Sequence, residues 1–349
     1  MKLFYFDIRV CIFWISLYVL GACNENFQES IIDPNDDIDE SQLVIPLINE
    51  ELNLINYLGN TENIHPKVLY FKDGWNGYSF WMAYTPYPLG DINAENPCIA
   101  VSNDGINWGI PLGLVNPLAE TPDHGYNSDT HLVYNPKTDS IECWWREVDT
   151  SDKDIDAFYK RVSKDGVVWT DKEVVYNFDP DNRCRLSPAV CIVDEMYYMV
   201  ISDCVNLYYL WGKSIPEGGI EWSKPQMLEV PFVDNKLNLW HQDMIIDNDY
   251  NVEMIVCAFD RSKNENNNSA DLYMLEYNLK DVSSISDLKL IKSRSPYLHS
   301  ITNRSIYRSS LVKINDMYMV YISSIDNNWH RHLMIATGHS LLQLVDSSL

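Results

Sequence analysis

The seven residues Ser102–Trp108, SNDGINW, return as SKDGVVW at Ser163–Trp169, with the two tryptophans 61 residues apart. A degenerate third copy, GGIEWS, surrounds Trp222. A device repeated at this interval restricts the chain to architectures that stack one supersecondary unit several times. Five longer segments share one grammar: a polar residue, an apolar strand, a polar turn, then an aromatic-rich strand. They begin at Ile64 (IHPKVLYFKDGWNGYSFWMAY), Ser128 (SDTHLVYNPKTDSIECWWREV), Leu186 (LSPAVCIVDEMYYMVIS), Trp240 (WHQDMIIDNDYNVEMIVCAF) and Ile306 (IYRSSLVKINDMYMVYIS). The runs are rich in Val, Ile, Tyr, Trp and Phe and bounded by Asp, Asn and Gly, so they read as strands. No amphipathic helical period lies between them.

The expectation is an all-β chain folded as a five-bladed β-propeller, with four-stranded blades around a central pocket, over residues 46–349. Ser41–Ile48 (SQLVIPLI) would supply the strand that closes the ring on the last blade. In each box the Asp accepts backbone N–H bonds and the Gly supplies a left-handed turn. The Trp then packs between neighbouring sheets, a structural rather than a ligand-binding role.

The chain begins differently. MKLFYFDIR leads into VCIFWISLYVL, an apolar run of 11 residues, which is too short to span a bilayer and fits a secretory leader. Leu20-Gly21-Ala22-Cys23 resembles the lipobox of bacterial lipoproteins, which implies removal of residues 1–22 and a lipid on Cys23, anchoring an exported protein in the membrane. Residues 23–45 are acidic and polar and read as a flexible tether. The acidic stretch after the cysteine is similar to surface-export signals of Bacteroidetes-type lipoproteins. A formal net charge of −24 argues against nucleic acid as a partner and leaves neutral sugars compatible. Cys98, Cys143, Cys184, Cys191, Cys204 and Cys257 form no CxxC pair, so they read as small core hydrophobes. A propeller closes its own sheet edges, so a monomer is expected.

In a propeller the starts of the innermost strands and the ends of the second strands meet at one mouth of the hub. The first group comprises His65 with Lys67, Asp129 with His131, Ser187, His241 with Asp243, and Arg308. The second comprises Glu95, Arg146 with Glu147, Asp203, and Asp260-Arg261, with Tyr84, Tyr87, Trp145, Trp240 and Trp329 interleaved. Residues spaced i, i+2 share one side of a strand, so Asp129/His131 and His241/Asp243 each point one way. Polar hub residues also occur as mere channel lining, but carboxylates and histidines gathered from distant blades favour a ligand site.

Five-bladed propellers with SxDGxxW-type turns and lipoprotein leaders resemble the glycoside hydrolases of families 43 and 32 and their relatives. The resemblance covers roughly residues 45–345 and implies hydrolysis of glycosidic bonds, furanosides among them, by carboxylates from different blades acting as acid and as base or nucleophile. Family 43 enzymes open blade 1 with Asp-Pro, whereas this chain has His65-Pro66, so an imidazole stands where that family has its base. On this reading Asp129 and Asp243 face each other across the hub, Glu147 donates the proton, and His65, His131 and His241 position substrate hydroxyls, or one of them, such as His65, acts as base. Glu95, His131, Trp145, Trp240, His241 and Arg308 bind an oligosaccharide or polysaccharide. Two alternatives remain open: a polysaccharide lyase using the hub histidines, with Arg308 or Lys67 neutralising a uronate, and a glycan-binding protein without catalysis. His65, His131 and His241 could gather a metal, but no HExxH or tight spacing supports one. No cofactor is expected beyond a structural calcium of the kind related propellers hold.

Overall fold

A computed structural model describes residues 31–32, 45–151, 156–178, 186–216, 218–231, 236–263, 269–293 and 304–344. The leader, the lipobox with Cys23 and Cys184 lie outside the described residues, as do Ser41–Val44 of the expected closing strand.

Five antiparallel sheets follow one another along the chain, each running outward from an innermost strand. Blade 1 consists of Asn63–Trp75, Tyr78–Pro86 and Cys98–Ser102. Blade 2 consists of Gly125–Asn135, Ser140–Asp149, Ala157–Ser163 and Glu173–Asn177. Blade 3 is Leu186–Val193, Met196–Ser202, Leu207–Ser214 and Ile220–Trp222, with Gln226–Met227 also pairing its third strand. Blade 4 is Leu237–Ile246, Asn251–Asp260, Asp271–Asn278 and Lys289–Lys292. Blade 5 is Ser305–Ile314, Met317–Ile325 and Arg331–Gly338, completed by Asn49–Glu51 from the start of the domain.

The ring therefore closes as expected, but slightly later in the chain than Ser41–Ile48. Asn49 pairs with Ala336 and Glu51 with Met334. Pro46 lacks an N–H to donate to a ladder; its carbonyl accepts from Thr337 Oγ1 (2.7 Å), which in turn accepts from Ile48 N (2.8 Å). Ile31–Ile32, inside the segment expected to be a tether, pairs in parallel with Ile110–Pro111 beside blade 1.

Every blade is sandwiched, so both faces of a strand are apolar, and all nine residues of Tyr78–Pro86 are buried. Five hydrophobic clusters result, one per interface. Phe80 and Trp108 meet Tyr321 and Ile335 between blades 1 and 5, and Trp81 meets Cys143 between blades 1 and 2. Trp144 meets Met199 between blades 2 and 3. Val200 meets Met254 between blades 3 and 4, and Leu272 meets Ile322 between blades 4 and 5. The five described cysteines are free thiols. Burial pushes the pKa values of Cys143, Cys191 and Cys257 far up, which keeps these thiols inert.

The repeated boxes are the clamps between blades. Asp104 Oδ1 accepts from the amides of Ile106 and Asn107 (both 2.8 Å), and Ser102 Oγ accepts from the amide of Gly105 (2.9 Å). Trp108 Nε1 then donates to the Gly105 carbonyl (3.0 Å). Asp165, Gly166 and Trp169 repeat the arrangement, with φ +76° at both glycines. The turn of blade 1 leans on blade 5, where Tyr321 donates to the Gly105 carbonyl (2.9 Å). That of blade 2 leans on blade 1, where a Cβ on Gly166 would stand 2.0 Å from the Trp81 ring. Trp222 docks blade 3 on blade 2 by donating to the Val175 carbonyl (2.7 Å).

Burial alone would raise the Asp104 pKa, but the bonds from Asn107, Ile106 and Ser102 outweigh it and hold the carboxyl below its ordinary range. Its contribution is thus present above the unfolded value near ~3.9 and is lost as pH falls through the lower folded value. Asp104→Ala is expected to cost about 1–3 kcal/mol at neutral pH. In urea unfolding the gap to wild type should shrink toward pH 3; a gap independent of pH would contradict this account.

Candidate active site

All five innermost strands bulge near their starts: between Ile64 and Lys67, Ser128 and His131, Leu186 and Ala189, Leu239 and His241, and Ile306 and Ser309. The bulges swing one or two residues per blade into the hub. His65, Asp129 and Ser187, at matching places in blades 1–3, are all left-handed (φ +54°, +55° and +53°). Such conformations cost non-glycine residues energy and cluster where function fixes the backbone.

The bulged side chains converge. His65 Nε2 lies 3.4 Å from Asp129 Oδ1, and His241 Nδ1 lies 3.6 Å from the same oxygen. One ligating atom from each of these three buried residues fits within 4.8 Å of the others. Supporting groups fix each member. Glu95 Oε1 and Thr85 Oγ1 each stand 3.1 Å from His65 Nδ1, and Ser128 donates to Glu95 (2.7 Å). Arg146 Nε meets Asp129 Oδ2 at 3.0 Å, while the Ser187 hydroxyl bridges Asp129 Oδ1 (3.1 Å) and His241 Nδ1. Tyr307 closes one side, its ring 5.2 Å from that of His65 and 4.7 Å from that of His241, and Trp240 backs His241 at 4.0 Å.

The charges are matched to metal ligation. Burial would raise the Asp129 pKa, but Arg146 foremost, then His65, His241 and Arg308, hold it far below the usual carboxylate range. Burial, aided by His65, Arg308 and Arg146 against the pull of Asp129, pushes His241 well below the usual imidazole range and keeps the ring neutral. An anionic carboxylate and a neutral imidazole are ligating forms. His241 Nε2 is buried with no hydrogen-bond partner among the described residues. Two imidazoles and one carboxylate, with the far nitrogen of His65 held by Glu95 and Thr85, fit a catalytic divalent metal with an open position.

Of the residues singled out from sequence, His65, Glu95, Asp129, Arg146, Ser187, Trp240 and His241 meet at this mouth. Asp243, Glu147, Trp145, His131 and Arg308 do not. Asp243 sits two residues deeper than His241, a step of roughly 7 Å along the strand. There it pairs with Lys67 Nζ (2.8 and 3.0 Å) and accepts from Leu311 N (2.9 Å), so it does not face Asp129. Glu147 points away because strand side chains alternate: Arg146 takes the hub side, and Glu147 pairs with Lys172 (2.5 Å). Trp145 is fully buried and stacks on Tyr159, a core residue rather than a sugar platform. His131 holds the amide and carbonyl of Val190 (2.9 and 2.8 Å) and faces Arg308 Nη2 (3.1 Å), so it stands apart from the other two histidines. Arg308 is fully buried and donates to the Pro188 carbonyl (2.8 Å). Tyr307 and Thr85 escaped the sequence reading. Tyr307 could have been found from its place in IYRSS, one residue before Arg308, since the bulge brings both positions into the hub.

No family model matches the chain. An A type blood N-acetyl-α-D-galactosamine deacetylase from Flavonifractor plautii is 27% identical over 222 residues, 52% of this chain but 29% of that protein. The chain thus spans under a third of this curated relative. The crystal structure of an N-acetylgalactosamine deacetylase from F. plautii, in complex with blood group B trisaccharide, superposes with a TM-score of 0.69 at 19% identity. It covers 84% of this chain and 94% of that one. The Bombyx mori family 32 β-fructofuranosidase follows at 0.58 and 13% identity, covering 87% and 65%. An exo-1,5-α-L-arabinanase from a bovine ruminal metagenomic library gives 0.54 at 10% identity, covering 84% and 95%. The chain is similar in fold to five-bladed propeller glycoside hydrolases and to a glycan deacetylase built on the same propeller.

Proposed function

We propose that the chain is a glycan-directed hydrolase working at the mouth lined by His65, Glu95, Asp129 and His241, and that it removes an N-acetyl group from an amino sugar. The observation carrying this reading is the buried His65–Asp129–His241 donor set, supported by the sequence likeness to a deacetylase. A divalent metal held there would polarise the amide carbonyl and make a bound water more acidic. The chain's own residues do the rest. Arg146 keeps Asp129 ionised, and Ser187 and Glu95 orient the two imidazoles. The proton released by the attacking water passes to the departing amine, giving acetate and the free amino sugar. Burial, with Glu95, Tyr87 and Asp129 adding to it, pushes the Tyr307 phenol well above its usual pKa, so it stays a donor for the developing oxyanion.

A second reading, hydrolysis of the glycosidic bond itself, keeps support from Glu95 and Asp129, two carboxylates flanking one imidazole at the same mouth. A lyase finds less: Lys67 is taken by Asp243, and Arg308 is buried away from the mouth. The proposal extends to a monomer, exported and lipid-anchored through Cys23, acting on neutral oligosaccharides; the leader and the acidic charge support it.

Incubation with A-type trisaccharide, followed by acetate measurement and mass spectrometry, tests the bond. Free acetate and a product lighter by one acetyl group are expected. New reducing ends without acetate would transfer the site to the glycosidase reading, and an unchanged trisaccharide would remove this substrate class.

A further inference from the structure

We infer that Trp329, backed by Arg304, forms a second sugar position on the rim of the hub, holding the pyranose unit next to the one that reacts. The inference rests on the glycan reading above and extends it to substrates longer than one sugar.

Trp329 lies in the loop Asp326–His330 that joins the second and third strands of blade 5, at the same end of the hub as Tyr307. Burying so large a ring would be the default for a tryptophan, yet it is 40% exposed. Its pose is imposed rather than relaxed. The backbone is left-handed (φ +70°), Trp329 N donates to the Asp326 carbonyl (3.1 Å), and Arg331 Nη1 donates to the Trp329 carbonyl. Asp326 Oδ1 fixes the rest of the loop by accepting from the amides of Asn328 (2.8 Å) and His330 (2.9 Å). Arg304 covers one face of the indole, with its guanidinium carbon 3.6 Å from the ring centroid. A strained, exposed and backed aromatic ring is poorly explained by packing, and it is what a sugar's C–H face stacks on.

The rim runs continuously from this ring to the site. Arg331 lies over Tyr87 at 4.8 Å, and burial, with the nearby Glu95 carboxylate adding to it, raises the Tyr87 pKa. Glu62 ties the two loops together, its Oε2 accepting from the amides of Arg331 and Leu89 (both 3.0 Å) and its Oε1 standing 3.1 Å from His330 Nδ1. Leu89, 64% exposed on that neighbouring loop, widens the apolar ledge. A glycan whose reacting unit enters the hub beside Glu95 can therefore lay its next ring across Trp329, with Arg304 beside it.

Calorimetry with galactose and with blood group B trisaccharide, which has no acetamido group to lose, tests this on wild type, Trp329→Ala, Trp329→Phe and Val115→Ala. Val115 is exposed and belongs to neither the rim nor the hub. Trp329→Ala is expected to weaken trisaccharide binding about tenfold more than galactose binding, Trp329→Phe to recover most of that difference, and Val115→Ala to keep the wild-type ratio. Equal weakening for both sugars, or none for either, would overturn the inference while leaving the glycan reading in place. Should the alanine variant not fold, saturation-transfer NMR on wild type decides. The C–H protons of the second sugar must then be saturated as strongly as those of the first. A wild-type protein that binds neither sugar defeats the glycan reading and this inference together.

Discussion

Asp129→Asn is expected to lower turnover of an N-acetylated glycan by roughly 10³-fold or more and to abolish binding of the proposed divalent metal. The variant keeps the shape of the side chain and an oxygen able to accept from Ser187, so packing is nearly conserved. What disappears is the one anion of the donor set. His65 and His241 both approach Asp129 Oδ1, and Arg146 approaches Asp129 Oδ2, so a single charge organises three neighbours. Without it the ion pair left to Arg146 among the described residues is with Asp156, at 3.8 Å, and two imidazoles alone hold a divalent ion weakly. Elemental analysis of purified wild type and variant supplies a readout independent of the assay: metal should be near stoichiometric in the first and absent from the second. Circular dichroism checks that the fold survives. Equal metal content and activity in the two proteins would defeat the proposed ligand set. Because Asp129 is held ionised far below neutral pH, its titration is not expected to shape the pH–rate profile of the wild type.

The fold was legible because the propeller writes itself into the sequence several times over. Each blade is packed on both faces, so its strands are apolar runs such as YSFWMAYTP, and each box must seat a tryptophan on the preceding blade. Position around the hub was legible for the same reason, and His65, Asp129 and His241 all occupy the starts of innermost strands. Depth along the hub axis was not. Residues i and i+2 share a face but sit roughly 7 Å apart along the strand, so Asp243 drops a layer below His241. The face taken by Glu147 likewise depends on which neighbour, Arg146, turns inward. That slip in depth also explains why three histidines suggested one cluster: His131 lies in the deeper layer against Arg308, and Asp129 takes its place beside the other two. Tyr307 carried no signal beyond its place one residue before Arg308, since one tyrosine among 22 in an aromatic-rich chain announces little by itself.

Lys67→Met is expected to destabilise the protein by about 3–5 kcal/mol, and Lys67→Met/Asp243→Asn to recover a large part of that loss. Both side chains are buried, with relative exposures of 5% and 1%, and they meet at 2.8 Å. Removing the ammonium alone strands a carboxylate where water cannot reach it, and that penalty dominates the single variant. Neutralising Asp243 as well lifts the penalty, and asparagine still offers an oxygen to the Leu311 amide. Urea unfolding of the wild type, both single variants and the double variant yields the coupling energy directly. Additive losses would show that the pair is not a unit. A large coupling would make Asp243 a structural residue of the hub. The ion pair lies between the site mouth and a cavity of about 550 Å³ at the opposite end of the axis, which Lys67 lines together with Val190, Met244 and Leu311. A propeller hub is an open tube by construction. A charge pair across it, with His131 and Arg308 also buried there, fills the hub behind His65, Asp129 and His241.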